Sequence, residues 1–309
     1  MPFRFKIYLA ALLSVQLIHP GIMGKFTRDF AASAAVPFTA PGSDRITVSV
    51  TGKGPDIILI PGLAGSAHVW DAAVSHLAPT HRVHVVQVAG FGGTPAGGNA
   101  SGPVLEPTVA AIHAYIAANH LQGAAVIGHS LGGLMAMKLA IDHPGDASRI
   151  MIVDSLPFIG MMFGPQANVA MVAPQAAALR DQIIAGTQQA YAAAEPQQMA
   201  RLIKSHNAEA DAAIAAASAS DYKVVAAALY DDMTTDVRPD LPKITVPVTI
   251  LYPWDPTSGM PQQMFDTLYT GAFAPLPRGK AERIEGSYHF IMIDQPAIFL
   301  QKVDTFLGG

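Results

Sequence analysis

The stretch Ala124-Ala125-Val126-Ile127-Gly128-His129-Ser130-Leu131-Gly132-Gly133, followed by Leu134–Ile141, decides the fold of this chain. Ala124–Ile127 is a short apolar run of the kind that forms a buried parallel strand, and Leu134–Ile141 has the length and composition of a helix. The six residues between them must therefore reverse the chain sharply from strand to helix. Ser130 sits at the tip of that turn, with Gly128 and Gly132 two residues to either side. On so tight a turn a Cβ at either flanking position would run into the strand or the helix, so Gly-x-Ser-x-Gly follows from the geometry.

Working outward, short β-branched runs alternate with longer helical stretches from about residue 44. The predicted strands are Arg45–Val50, Asp56–Ile60, His84–Val88, Ala124–Ile127, Ile150–Val153, Val248–Tyr252 and Arg283–Glu285. Such alternation implies an α/β fold, a mostly parallel central sheet with helices on both faces. Between Leu156 and about Asp236 the texture turns Ala-, Gln- and Met-rich without strand signals, which predicts an inserted cap of three or four short helices. Pro174 and Pro196 suit first-turn positions there, and Ser220 suits an N-cap for 221–232.

A serine hydroxyl is a weak nucleophile near neutral pH and needs a base, with a third group to orient that base. Among the eleven histidines, His289 alone follows the last two strands. Asp255 follows the strand Val248–Tyr252, at the carboxyl end where parallel sheets gather their ligands. Asp154 closes the preceding strand on the same edge and is the alternative acid. Backbone N–H groups must hold the developing oxyanion. Leu131, after the nucleophile, supplies one, and Leu63, in the loop Pro61-Gly62-Leu63-Ala64-Gly65-Ser66, supplies the other.

These motifs resemble the α/β-hydrolase superfamily over roughly residues 44–305. The resemblance rests on Pro61–Ser66, on Ala89-Gly90-Phe91-Gly92-Gly93-Thr94-Pro95, on Gly128–Gly133, on Leu241–Val248, and on Tyr288-His289-Phe290 followed by Gln295-Pro296. It implies the order Ser130, Asp255, His289 for a catalytic triad, and a cap where the insertion falls. It also implies a serine hydrolase of the esterase and lipase kind, since a serine nucleophile separates it from the branches that carry aspartate. Family members usually have His-Gly where this chain has Pro61-Gly62, and commonly an acid where Gln87 or Val88 stands.

The expected organisation is a signal peptide over 1–34, a hydrolase core over 35–155 and 237–309, and a helical cap over 156–236. The signal reading comes from Arg4 and Lys6 ahead of the apolar run Ile7–Ile18 and from Ala32-Ser33-Ala34 as the cleavage site, and it sends the protein to the periplasm or outside the cell. A start at Met23 would instead leave a cytoplasmic product. Phe158, Met161 and Met162 at the cap entrance are candidate substrate-binding residues for an apolar acyl group, with Leu156, Ile159 and Phe163 beside them.

Composition narrows the partners. The 309 residues carry a formal charge of −4, which gives no basic surface for nucleic acid. No apolar run reaches the length of about 18 residues that a spanning helix requires. The absence of cysteine removes disulfides, thiolate zinc sites and cysteine nucleophiles. No dinucleotide fingerprint, Walker loop or His-Glu-x-x-His occurs, and His81 and His84 without further ligands read as surface histidines, so no cofactor or metal is expected.

The expected substrate is an uncharged, fairly apolar carboxylic ester, a lactone or thioester included. An aminopeptidase using Glu195, Glu209 or Asp211 to hold an amine is an alternative. So are a perhydrolase or carbon–carbon hydrolase with the same triad, and a binding protein that keeps the fold without turnover.

Overall fold

The computed structural model describes residues 38–39, 43–164 and 166–308; the segment 1–34 read as an export signal lies outside them. An eight-stranded sheet has the order β1-β2-β4-β3-β5-β6-β7-β8. Its strands are β1 (Phe38–Thr39), β2 (Ile46–Gly52), β3 (Asp56–Ile60), β4 (Arg82–Val88), β5 (Ala124–His129), β6 (Ala147–Val153), β7 (Val248–Trp254) and β8 (Gly279–Glu285). β1 and β2 pair antiparallel, β2 joins β4 antiparallel, and every later pairing is parallel. All seven strands expected from the sequence form, most of them longer at one end or both.

Helices α1 (Asp71–Leu77), α2 (Leu105–Ala118), α3 (Leu131–Asp142), α8 (Gln262–Ala272), α9 (Ile291–Asp294) and α10 (Pro296–Gly308) belong to the core. Between β6 and β7 lie four more: α4 (Val169–Ile184), α5 (Gln188–Met199), α6 (Ala208–Ala219) and α7 (Tyr222–Thr234). Ile57, Ile58, Leu59 and Ile60 of β3 are all buried, as an unbroken apolar run requires when helices cover both faces. These four helices, the inserted segment expected as a cap, have a smaller core of their own, where the α4 stripe Val172, Ala176, Leu179 and Ile183 meets Ala226, Leu229 and Met233 of α7. Both sets recur at helical spacing, which is why tertiary packing can stabilise helices as Ala-rich as these. No single helix among the described residues is long and apolar enough to cross a membrane.

Three local expectations are corrected. Pro174 and Pro196 lie inside α4 and α5, not in their first turns. Both are exposed, and the helices continue past them. Ser220 is the C-cap of α6, and Asp221 caps α7, accepting from the N–H groups of Lys223 and Val224. Ser220 is instead fully buried, accepting from Gly92 N at 2.8 Å and donating to Ala64 O at 3.1 Å, which ties the cap to two core loops. His84 is buried, not on the surface, with Tyr115 Oη 2.7 Å from Nδ1 and Asp56 Oδ1 2.9 Å from Nε2.

Candidate active site

The register of the sheet assembles the site. Ile60 at the end of β3 stands opposite Gly128 of β5, so the loop after β3 and the turn after β5 emerge side by side. β4 lies on the other side of β3, which makes this the point where strand order reverses and a crevice opens. His129 of β5 pairs with Val153 of β6, and the next residues continue the pattern: Ser130 N donates to Val153 O at 2.9 Å, and Asp154 N to Leu251 O at 2.8 Å.

Ser130 has φ 53° and ψ −124°, a strained conformation at the N-cap of α3. The flanking glycines meet the steric demand read from the sequence. A Cβ on Gly128 would strike the carbonyl of Gly132, and one on Gly132 would strike the carbonyl of Ile60. Gly62 obeys the same rule, since its Cβ would lie 2.9 Å from the Cβ of Ser130. All of these obstacles are backbone atoms or the Cβ of Ser130, and none can swing away. Gly132→Ala is therefore expected to cost roughly 3 kcal/mol or more, as a denaturant midpoint lowered without a change in slope.

His289 Nδ1 lies 2.6 Å from Asp154 Oδ2, and Tyr269 Oη donates to the other oxygen of the same carboxylate. Asp154 is buried and His289 is mostly so, which removes water from this pair. Asp154 accepts the Nδ1 proton, and that fixes the tautomer so that His289 Nε2 keeps its lone pair. His129 packs behind His289, with ring centroids 4.6 Å apart, and its Nε2 donates to His289 O at 3.1 Å. Burial, reinforced by the neighbouring His289, pushes the pKa of His129 well below the ordinary histidine value, so it stays an uncharged wedge.

The acid expected from the sequence, Asp255, is not the partner of His289. It is buried beyond the end of β7, where Lys204 Nζ is 2.5 Å from Oδ2 and Thr257 donates to Oδ1 through its backbone N–H at 2.8 Å and through its hydroxyl. Burial works to raise its pKa, but the hydrogen bonds from Lys204 and Thr257 outweigh that and hold the carboxyl below its ordinary value. Lys204 belongs to the cap, and the adjacent backbone N–H groups of Lys204 and Ser205 both donate to Asp294, which also accepts from Tyr288 N. Asp255 thus fastens the cap to the core. The usable signal was distance from strand ends: Asp154 follows β6 as directly as Ser130 follows β5, on the neighbouring strand.

Among the described residues, no protein acceptor takes the N–H of Leu63 or of Leu131, and Leu63 lines the same cleft as Ser130. The loop carrying Leu63 is riveted by Gln87, the residue standing where an acid is common. Its Oε1 accepts from Ala67 N at 2.8 Å, and its Nε2 reaches the carbonyls of Gly65, Val88 and Phe91. An amide serves two-sided bonding that a carboxylate cannot.

The cleft holds about 810 Å³, counting the space open to solvent at its mouth, and brings Ser130, Asp154 and His289 together with Leu156, Ile159, Met162, Leu202, Met260, Phe265 and Leu268. Of the candidate substrate-binding residues, Met162 reaches it. Phe158 does not: it is wholly buried in the cap's own core with the Arg238 guanidinium 4.7 Å from its ring centre. Met161 packs against the core instead of lining the cleft. Glu209 and Asp211 are exposed on the first turn of α6, and Glu195, whose pKa burial raises to about 7, also lies outside the cleft. The sequence reading missed Tyr269, Ser155 and Asp232, which all line it and belong to no motif.

The family model described as the alpha/beta hydrolase family matches residues 57–302. This chain belongs to that family. The hydrolase is 27% identical over 280 residues to a pimeloyl-[acyl-carrier protein] methyl ester esterase of Aeromonas hydrophila, an alignment that covers 85% of this chain and 99% of the relative. Among solved structures it is similar to a thermophilic esterase from Thermogutta terrifontis, with TM-score 0.72 and 18% identity over 89% of this chain and 98% of the other. It is also similar to the enol-lactonase from Burkholderia xenovorans LB400, with TM-score 0.66 and 19% identity over 85% and 96%. At these identities the solved structures speak for the hydrolase's fold, and the fold is the one the motif order implied.

Proposed function

We propose that this hydrolase cleaves an uncharged, fairly apolar carboxylic ester through an acyl-serine intermediate, with Ser130 as nucleophile, His289 as base and Asp154 as the acid that orients it. The observation that carries the reading is the Asp154–His289 pair, held at 2.6 Å on the wall of an apolar cleft that also exposes Ser130. His289 Nε2 takes the Ser130 proton as Oγ attacks the carbonyl carbon, and Asp154 stabilises the imidazolium. The N–H groups of Leu63 and Leu131 hold the oxyanion. Collapse of the tetrahedral species expels the alcohol, which takes the proton from His289. Water then gives a proton to the same nitrogen as its oxygen attacks the acyl-Ser130 carbonyl, and collapse of this second tetrahedral species breaks the bond to Ser130 Oγ, which takes the proton back from His289 as the acid leaves.

The curated relative named as a methyl ester esterase supports acyl–oxygen cleavage as the reaction class. The apolar lining supports the substrate preference, because each methylene buried there is worth at most about 0.8 kcal/mol. The test combines fluorophosphonate labelling, mapped by peptide mass, with turnover of p-nitrophenyl esters from acetyl to long acyl. Label is expected on Ser130, and kcat/KM is expected to rise roughly two- to fourfold per methylene until the cleft is full. Folded protein that takes no label and turns over no ester, while ligands still raise its melting temperature, would be a binding protein instead.

A further inference from the structure

Asp231 and Asp232 are neighbours at the carboxyl end of α7 and go to different places. Asp231 accepts from the N–H groups of Val104 and Leu105 at 2.6 and 3.0 Å, capping α2 and tying the cap to the core. Asp232 points the other way. It lines the cleft with Ser130, Ser155 and His289, and it is 9% exposed. Among the described residues no hydrogen bond or ion pair reaches its carboxyl. A carboxyl this deeply buried is ordinarily satisfied by a partner, and the open space beside this one is the cleft that Ser130 and His289 also line.

We propose that Asp232 is a specificity residue of the cleft and binds a hydroxyl group carried on the acyl chain of the ester. The proposal rests on the reading of Ser130 and His289 as an ester-cleaving pair and adds one polar group to an otherwise apolar substrate. A hydroxyl fits better than a charged substituent. Burial raises the carboxyl's pKa to about 7, against the opposing pull of His289, so both protonation states are within reach near neutrality. A hydroxyl donates to the carboxylate and accepts from the carboxylic acid, and so pairs with either. An ammonium pairs with the carboxylate alone, and a carboxylate substituent is repelled by it. A plain acyl chain leaves the buried carboxyl unpaired, which penalises that substrate relative to the hydroxylated one.

The experiment compares kcat/KM for methyl hexanoate with methyl 2-, 3- and 6-hydroxyhexanoate, in wild type and in Asp232→Leu and Asp232→Asn. In wild type at least one hydroxylated ester is expected to be preferred by about tenfold or more. Asp232→Leu, similar in size but without a hydrogen-bonding group, is expected to lower that preference at least tenfold, and Asp232→Asn, which keeps one, to fall between. If the leucine variant does not fold, Asp232→Ala gives the same readout. No hydroxylated ester preferred by wild type overturns the proposal. So does a leucine or alanine variant that slows plain and hydroxylated esters equally, because that pattern belongs to a charge acting only on His289. If wild type turns over no ester, the esterase reading has failed, and Asp232 is judged on binding. The hydroxylated esters must then raise the melting temperature of wild type more than methyl hexanoate does, with the excess lost in Asp232→Leu; equal shifts overturn it.

Discussion

The Ser130→Ala variant is expected to fold like the wild type and to lose about 10⁶-fold in kcat on p-nitrophenyl hexanoate, leaving only the rate that binding and the oxyanion N–H groups supply. Removal of the hydroxyl leaves the frame intact. Among the described residues it has no protein hydrogen bond to lose, and alanine carries the same positive-φ strain as serine at φ 53°. Its melting temperature should lie within about 2 °C of the wild type. The result that would redirect the mechanism is substantial turnover in a folded variant. The side chain to suspect would then be Ser155, which lines the same cleft and follows directly on Asp154.

The second large effect separates two aspartates that the sequence offered for one role. Asp154→Asn is expected to lower kcat about 10⁴-fold with little change in KM, because an amide N–H facing His289 Nδ1 favours the tautomer whose Nε2 carries the proton and cannot accept one from Ser130. Asp255→Asn is expected to leave kcat within about threefold and to lower the melting temperature by roughly 2–6 °C, since it weakens the bonds to Lys204 and Thr257 that fasten the cap. The sign of its pH dependence follows from the lowered pKa of Asp255 in the folded protein. The stabilisation is complete above the unfolded carboxyl's pKa and is lost as pH falls through the folded one. The melting-temperature gap between wild type and Asp255→Asn should therefore close on acidification. A 10⁴-fold loss in Asp255→Asn with an active Asp154→Asn would reverse the assignment.

The sheet and the sharp turn at Ser130 were legible in the chain alone. Each depends on local rules: a run such as Ile57–Ile60 needs cover on both faces, and Gly128 and Gly132 are required by atoms only a few residues away in chain or register. Which aspartate faces His289 could be read only from the fold, because it depends on Lys204, 51 residues before Asp255, and on Tyr269, 115 residues after Asp154. Equally non-local are the burial of Phe158 under Arg238, the rivet made by Gln87, and the aim of Asp232 into the cleft. A carboxylate takes its role from whichever cations and donors the folded chain brings within about 3 Å of it, and neither periodicity nor motif spacing encodes those encounters.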